Sequence, residues 1–125
     1  MQLSDRLPPK WRHRLFVAYA VAMALVFLTP TPDTGIESRY IDKAVHFGLF
    51  FGFALVFHFD RRTTPGRTFL MSTIFAAGIE VVQGILPFRS AEWRDFVAGS
   101  TGAALATLIL LLIERRTRSE AGRSR

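Results

Sequence analysis

The chain has 125 residues, of which 50% are hydrophobic, contains no cysteine, and carries a formal net charge of +6. This length fits a single domain, and the lack of cysteine excludes a disulfide scaffold, a thiolate zinc site and a cysteine nucleophile. A strongly basic chain is typical of nucleic-acid binding, but a positive mean hydropathy of +0.24 is unusual for that class of domain.

Four apolar segments follow one another along the chain, at residues 15–29, 41–59, 68–86 and 96–113. Their lengths approach the roughly 17 to 25 helical residues that cross about 30 Å of hydrocarbon. They lack the polar stripe, repeated every 3.6 residues, that a soluble amphipathic helix carries. The sequence therefore predicts an all-α fold, a polytopic four-helix bundle in a membrane.

Turn residues separate these segments. Pro30 and Pro32 follow the first segment, Pro65 and Gly66 follow the second, and Pro87 follows the third. Proline removes a backbone donor and restricts the residue before it, so each site ends a helix. The predicted domains are a basic arm at residues 1–14, the membrane domain at 15–113 and a basic tail at 114–125.

The basic residues are unevenly divided among the segments outside the predicted spans. The N-terminal arm, the loop between spans two and three, and the tail carry twelve Lys and Arg. The other side has four, which are Arg39, Lys43 at the start of span two, Arg89 and Arg94. Because cytoplasmic loops are enriched in both residues, the pattern predicts that both termini are cytoplasmic. Contact with anionic membrane lipid then explains the basic arms, and no nucleic-acid partner is expected.

The first segment also has the basic start and apolar core of a secretory signal peptide. The residues around its end, Leu28 to Pro32, lack the small-x-small pattern of a cleavage site. We therefore expect it to remain as a helix.

Several polar residues lie near the predicted outer ends of spans two to four. A charge within a span costs at least about 2.5 to 3.5 kcal/mol on insertion scales, so each one needs a partner or a function. We expect these residues to converge in a ligand-binding pocket open to the outside. They are Asp42, Lys43, His46, Glu80, Gln83, Arg89 and Asp95.

Two of these residues, His46 and Glu80, are the catalytic candidates. His46 is either a packing histidine bonded to Asp42 or Glu80, or a proton-transfer group, since its ordinary pKa is about 6.5. Glu80 is either the partner of Arg89 or Lys43 in an internal ion pair, or a general base.

The other charged candidates have simpler alternatives. Arg89 with Lys43 suits an anionic headgroup, or else anchors the chain at the interface. Asp95 is well placed to cap the fourth helix. The chain has no H-E-x-x-H motif, and the sequence predicts neither a metal nor another cofactor.

Small residues mark predicted contacts between helices. Gly48 and Gly52 are four apart in the second span, as are Gly99 and Ala103 in the fourth. Such pairs let helix backbones approach closely in a membrane.

The ordered polar residues resemble the VanZ-like family of small bacterial membrane proteins, over roughly residues 15 to 113. The matching positions are Asp42-Lys43-x-x-His46-Phe47, Glu80-x-x-Gln83 with Pro87-x-Arg89, and Asp95 followed by Gly102. The family often has Asn four residues after this Asp, where this chain has Gly99. A ligand site that uses the Asn is therefore altered here, unless Ser100 compensates.

The resemblance implies a multi-pass protein of the bacterial cytoplasmic membrane that acts at the cell envelope. The founding member of the family is associated with resistance to the glycopeptide teicoplanin, which a family name alone does not transfer to this chain.

Three functions remain open from the sequence. The chain binds an anionic lipid or a lipid-linked cell-wall precursor in its outer pocket, or it is a membrane enzyme that uses Glu80 and His46 as an acid–base pair on such a lipid. Alternatively, it is an accessory subunit whose glycine-rich faces pack against a membrane protein partner.

Overall fold

The computed structural model describes residues 7–30 and 36–123, without the side chains of residues 36–38. The described residues contain no strand and form four helices: α1 (Pro9–Leu28), α2 (Ile36–Arg61), α3 (Pro65–Ile85) and α4 (Trp93–Arg123). Each helix includes a stretch long and apolar enough to cross a membrane. The predicted all-α membrane architecture with four spans is confirmed. The predicted turn at Pro32 lies outside the described residues.

Three of the helices extend well beyond the apolar segments that predicted them. α1 begins at Pro9, since proline fits the first turn of a helix, and α4 continues through the basic tail to Arg123. Apolar content marks only the part of a helix that faces lipid, whereas the helical backbone continues until a residue interrupts it. α3 instead begins after the cap residue Thr64, whose hydroxyl accepts a hydrogen bond from the Arg67 N–H.

The closest helix crossing lies between α2 and α4, which make the most extensive contact in the bundle. A Cβ atom at Gly102 would overlap the backbone carbonyl oxygen of Phe47, and one at Gly99 would lie 2.7 Å from the Phe50 ring. Ala103 is fully buried beside them. The predicted contact at Gly99 and Ala103 is therefore confirmed.

The predicted contact of the second span is only half correct. A Cβ atom at Gly52 would overlap the Tyr19 hydroxyl of α1, so Gly52 is a contact position. Gly48 is exposed and has no atom of another described helix within 4 Å of its Cβ position. The prediction for Gly48 was wrong because the i,i+4 spacing does not reveal which face of α2 meets a neighbour.

Aromatic side chains fill the interior. The Phe27 and Phe50 rings stack at 5.7 Å and the Phe53 and Phe75 rings at 4.8 Å. Phe27 also lies 4.3 Å, ring to ring, from His46. The apolar core thus continues up to the first ionisable side chain at one end of the bundle.

The bundle has two ends, and each is formed by a different set of helix starts and helix ends. The polar end comprises the end of α1, the start of α2, the end of α3, the 86–92 connection and the start of α4. The opposite end comprises the start of α1, the end of α2, the start of α3 and the C-terminal part of α4. The face of the membrane to which each end points stays a prediction from the Lys and Arg distribution.

Candidate functional site

Ionisable side chains from α2, α3, α4 and the 86–92 connection meet at the polar end. α2 and α4 both begin there and α3 ends there, so residues far apart in sequence become neighbours. We call this set the polar cluster. It consists of Asp42, Lys43, His46, Glu80, Arg89, Glu92 and Asp95.

His46 lies at the base of the cluster, with 1% of its side chain exposed. Its Nδ1 lies 2.9 Å from the carbonyl oxygen of Asp42, and its Nε2 lies 3.3 Å from Oε1 of Glu80. Because a carbonyl oxygen only accepts, the first contact requires Nδ1–H to donate. His46 therefore contacts both of the partners that the sequence offered as alternatives.

Glu80 is held by the backbone on one side and faces His46 on the other. Its Oε2 accepts a hydrogen bond of 3.0 Å from the Glu92 N–H. Its Oε1 and the Nε2 of His46 are both buried without a hydrogen-bond partner among the described residues. This carboxylate is thus fixed in place with one buried oxygen left for a further interaction.

Lys43 connects α2 to the start of α4. Its Nζ lies 3.1 Å from Oδ1 of Asp95 and 3.2 Å from Oε2 of Glu92. Asp95 is buried, and it lies within the first turn of α4 because that helix begins at Trp93. The predicted capping role of Asp95 was wrong, since the helix starts earlier and the carboxylate pairs with Lys43.

Arg89 closes another side of the cluster. Its Nη2 lies 3.7 Å from Oδ1 of Asp42, and only 7% of its side chain is exposed. The buried guanidinium therefore belongs to the interior of the cluster rather than to the interface anchor that the sequence offered as an alternative.

Gln83 is used differently from the other predicted site residues. Its Nε2 donates a 3.0 Å hydrogen bond to the carbonyl oxygen of Phe27, and the side chain is buried. This bond satisfies a carbonyl in the last turn of α1, which has no partner within its own helix. Gln83 thus connects α3 to α1.

Sequence reasoning missed two features of the site. Glu92 was not among the predicted residues, although an acidic residue just before a helix start is a signal for such a position. One ligand atom from each of Asp42, His46 and Asp95 also lies within 4.8 Å of the others, close enough for the three to hold a metal ion. Only the i,i+4 spacing of Asp42 and His46 was visible in the sequence.

At position 99, where the resemblance implied an Asn, this chain has a glycine packed against an aromatic ring. A Cβ there would lie 2.7 Å from the Phe50 ring. The neighbouring Ser100 has a buried hydroxyl without a hydrogen-bond partner among the described residues. Position 99 therefore contributes no polar group to the cluster.

The family model described as VanZ/LLP1 matches residues 10–114. No curated protein and no solved structure matches the chain. Since the family model covers most of the sequence, the chain belongs to the VanZ/LLP1 family, and the resemblance carried by the polar residues is confirmed.

Proposed function

We propose that this VanZ/LLP1-family membrane protein binds the polar headgroup of an anionic or lipid-linked envelope component in the polar cluster. The observation that supports this is a partly exposed rim above a buried base. Asp42, Lys43 and Glu92 are 33%, 24% and 42% exposed, whereas His46 is buried. In a membrane, the headgroup of a lipid beside the bundle would lie near this rim, because the rim is at one end of the spanning helices.

The mixture of positive and negative side chains favours a headgroup that has both phosphate oxygens and hydrogen-bond donors. The partly exposed Lys43 is suited to phosphate oxygens, which it can bind through charge-assisted hydrogen bonds, and Arg89 adds positive charge from the interior of the cluster. The carboxylates of Asp42 and Glu92 accept hydrogen bonds from hydroxyl, amide or amine groups. A lipid phosphate that carries a sugar or a peptide offers phosphate oxygens and hydrogen-bond donors. A simple anionic phospholipid offers mainly phosphate oxygens.

The orientation that we propose places the polar end outside the cytoplasmic membrane of a bacterium. The excess of Lys and Arg in the segments of the opposite end supports it. A protein that held lipid-linked cell-wall precursors there would change their access to glycopeptide antibiotics such as teicoplanin.

The proposal is tested by native mass spectrometry of the full chain in nanodiscs, with a polyprenyl diphosphate as probe and phosphatidylglycerol as the comparison lipid. We expect one bound polyprenyl diphosphate per chain. Lys43→Met should weaken this binding about tenfold, which is about 1.4 kcal/mol.

Arg67→Met is the matched control, because Arg67 is an exposed cation at the opposite end. It should bind the probe like the wild type. Equal binding by the Lys43 and Arg67 variants, or no retained lipid in the wild type, would contradict the proposal.

The contact between His46 and Glu80 favours a second candidate function, acid–base catalysis on such a lipid. Asp42 orients the imidazole through its carbonyl, and the Glu92 N–H orients the carboxylate. In hydrolysis of the polyprenyl diphosphate, Glu80 would take a proton from the attacking water, and the protonated His46 would give one to the oxygen that leaves as the bond to the terminal phosphate breaks. Glu80→Gln should therefore abolish phosphate release without changing thermal unfolding. If unfolding changes instead, Glu80 stabilises the bundle and the enzyme proposal fails.

A further inference from the structure

The contact between His46 and Glu80 is unfavourable when the imidazole is neutral. Nδ1 donates to the Asp42 carbonyl, so a neutral imidazole presents the lone pair of Nε2 to Oε1 of Glu80, 3.3 Å away. Both atoms are buried and have no hydrogen-bond partner among the described residues. Two acceptors that face each other in a buried place repel, so a cation is needed at this histidine.

The charges of the whole polar cluster show the same deficit. Four carboxylates, from Asp42, Glu80, Glu92 and Asp95, face two permanent cations, Lys43 and Arg89. With His46 neutral and all four carboxylates ionised, these described side chains together carry two more negative than positive charges at the end of a membrane-spanning bundle. Uncompensated charge is costly in this environment, and one divalent cation would neutralise it.

We infer that the polar cluster binds one divalent transition-metal ion of the Zn²⁺ class, with Asp42, His46 and Asp95 as its protein ligands. One ligand atom from each of the three lies within 4.8 Å of the others. Zn²⁺ binds nitrogen and oxygen ligands at about 2.0 to 2.2 Å, so small movements of the carboxylates close the site. Asp42 is partly exposed, which leaves its carboxylate free to turn toward an ion.

The nitrogen that faces the Asp42 side is Nδ1, which lies 3.8 Å from Oδ1 of that residue. When Nδ1 binds the ion, the ring proton moves to Nε2. Glu80 then accepts a hydrogen bond from Nε2–H, and the two buried atoms that lacked partners satisfy each other. A carboxylate behind a metal-bound histidine is a common way to orient the ring and raise its affinity for the metal.

The ligand types select the metal. Imidazole nitrogen suits Zn²⁺ and related transition metals, whereas Mg²⁺ and Ca²⁺ prefer sites made only of oxygen. If the ion draws Asp95 away from Lys43, the ammonium retains Glu92 at 3.2 Å. The inferred ion site does not depend on the proposed headgroup function and can be measured without any lipid.

The test uses the full chain, purified in detergent, stripped with a chelator and titrated with Co²⁺ and then Zn²⁺. We expect one ion per chain, detected by calorimetry and by the visible absorption of Co²⁺, and no displacement of Co²⁺ by equimolar Mg²⁺. His46→Gln and Asp95→Asn should each lower the Zn²⁺ affinity at least about tenfold.

His58→Gln is the matched control, since it removes a histidine of the same helix at the opposite end. It should change the Zn²⁺ affinity less than about twofold, a small fraction of the effect of losing a ligand. Should His46→Gln fail to fold, Asp42→Asn replaces it, because Asp42 lies at the partly exposed rim.

A wild-type chain that stays folded and binds no ion would overturn the inference, and a proton would then be the cation at His46. Equal losses of Zn²⁺ affinity in the His46 and His58 variants would also overturn it, because they would indicate adventitious binding. Repeating the polyprenyl diphosphate binding measurement in the presence of a chelator separates the ion-site inference from the headgroup proposal. Retained binding of polyprenyl diphosphate without an ion leaves the headgroup proposal intact.

Discussion

α2 carries two described histidines, His46 in its first half and His58 in its last turn, and each one lies beside a carboxylate. At the polar end the His46 and Glu80 atoms are 3.3 Å apart, and both side chains are largely buried. At the opposite end the His58 and Glu114 atoms are 4.0 Å apart, and 31% of the Glu114 side chain is exposed. The same pair of residue types thus occurs in two very different environments.

The difference lies in what holds each pair. Glu80 is fixed by the Glu92 N–H, and the Phe27 ring covers His46. His58 instead has the Thr68 hydroxyl 3.1 Å from its Nδ1. A carboxylate as exposed as that of Glu114 can be satisfied by water, so its ion pair contributes little, whereas buried groups depend on one another. For this reason the polar end is where function is to be sought.

The largest effect is expected at the helix crossing beneath the polar cluster. Gly102→Ala places a methyl group against the backbone carbonyl of Phe47, which cannot move as a flexible side chain does. We expect the free energy of unfolding to fall by about 3 kcal/mol, at the upper end of overpacking effects. Thermal unfolding in detergent measures this change.

Gly48→Ala is the control for that substitution, because no atom of another described helix lies within 4 Å of its Cβ position. It should leave the unfolding temperature unchanged or slightly raised. If both alanine variants behave alike, the close crossing between α2 and α4 is refuted.

A smaller effect is expected from the ion pair between α2 and α4. Asp95→Ala leaves the Lys43 ammonium with Glu92 as its remaining carboxylate partner at hydrogen-bonding distance and should cost about 2 kcal/mol of stability. Lys43→Met should cost less stability in the Asp95→Ala chain than in the wild type, because one of the two carboxylate contacts of the ammonium is then already gone. A double-mutant cycle on chemical unfolding measures the coupling, and strictly additive effects would contradict it.

The smallest effect is expected at the opposite end. Glu114→Gln weakens a partly exposed contact of 4.0 Å, so stability should change by less than about 0.5 kcal/mol. The same unfolding assay measures this change. A Glu114 effect larger than that of Asp95→Ala would reverse the ranking of the two ends.

Much of the fold follows from local sequence properties. Four apolar segments and the prolines between them predict four spans, because hydrocarbon thickness sets the length of an apolar helix. The polar residues of the site were also recognisable, since charges in such segments need an explanation. Pairing was harder to predict. The sequence offered Arg89 or Lys43 as the partner of Glu80, whereas the contacts described for its carboxylate are His46 and the Glu92 N–H.

By itself, the sequence determined that this is a four-span membrane protein with a few ionisable residues near one set of helix ends. Those properties depend on hydropathy and on spacing along a single helix. Only the tertiary structure decided that Gly102 rather than Gly48 makes a close helix contact, that Gln83 binds the end of α1, and that Lys43 bridges Glu92 and Asp95. These outcomes depend on the rotation of each helix about its axis, which is set by packing between helices and leaves no local mark in the sequence.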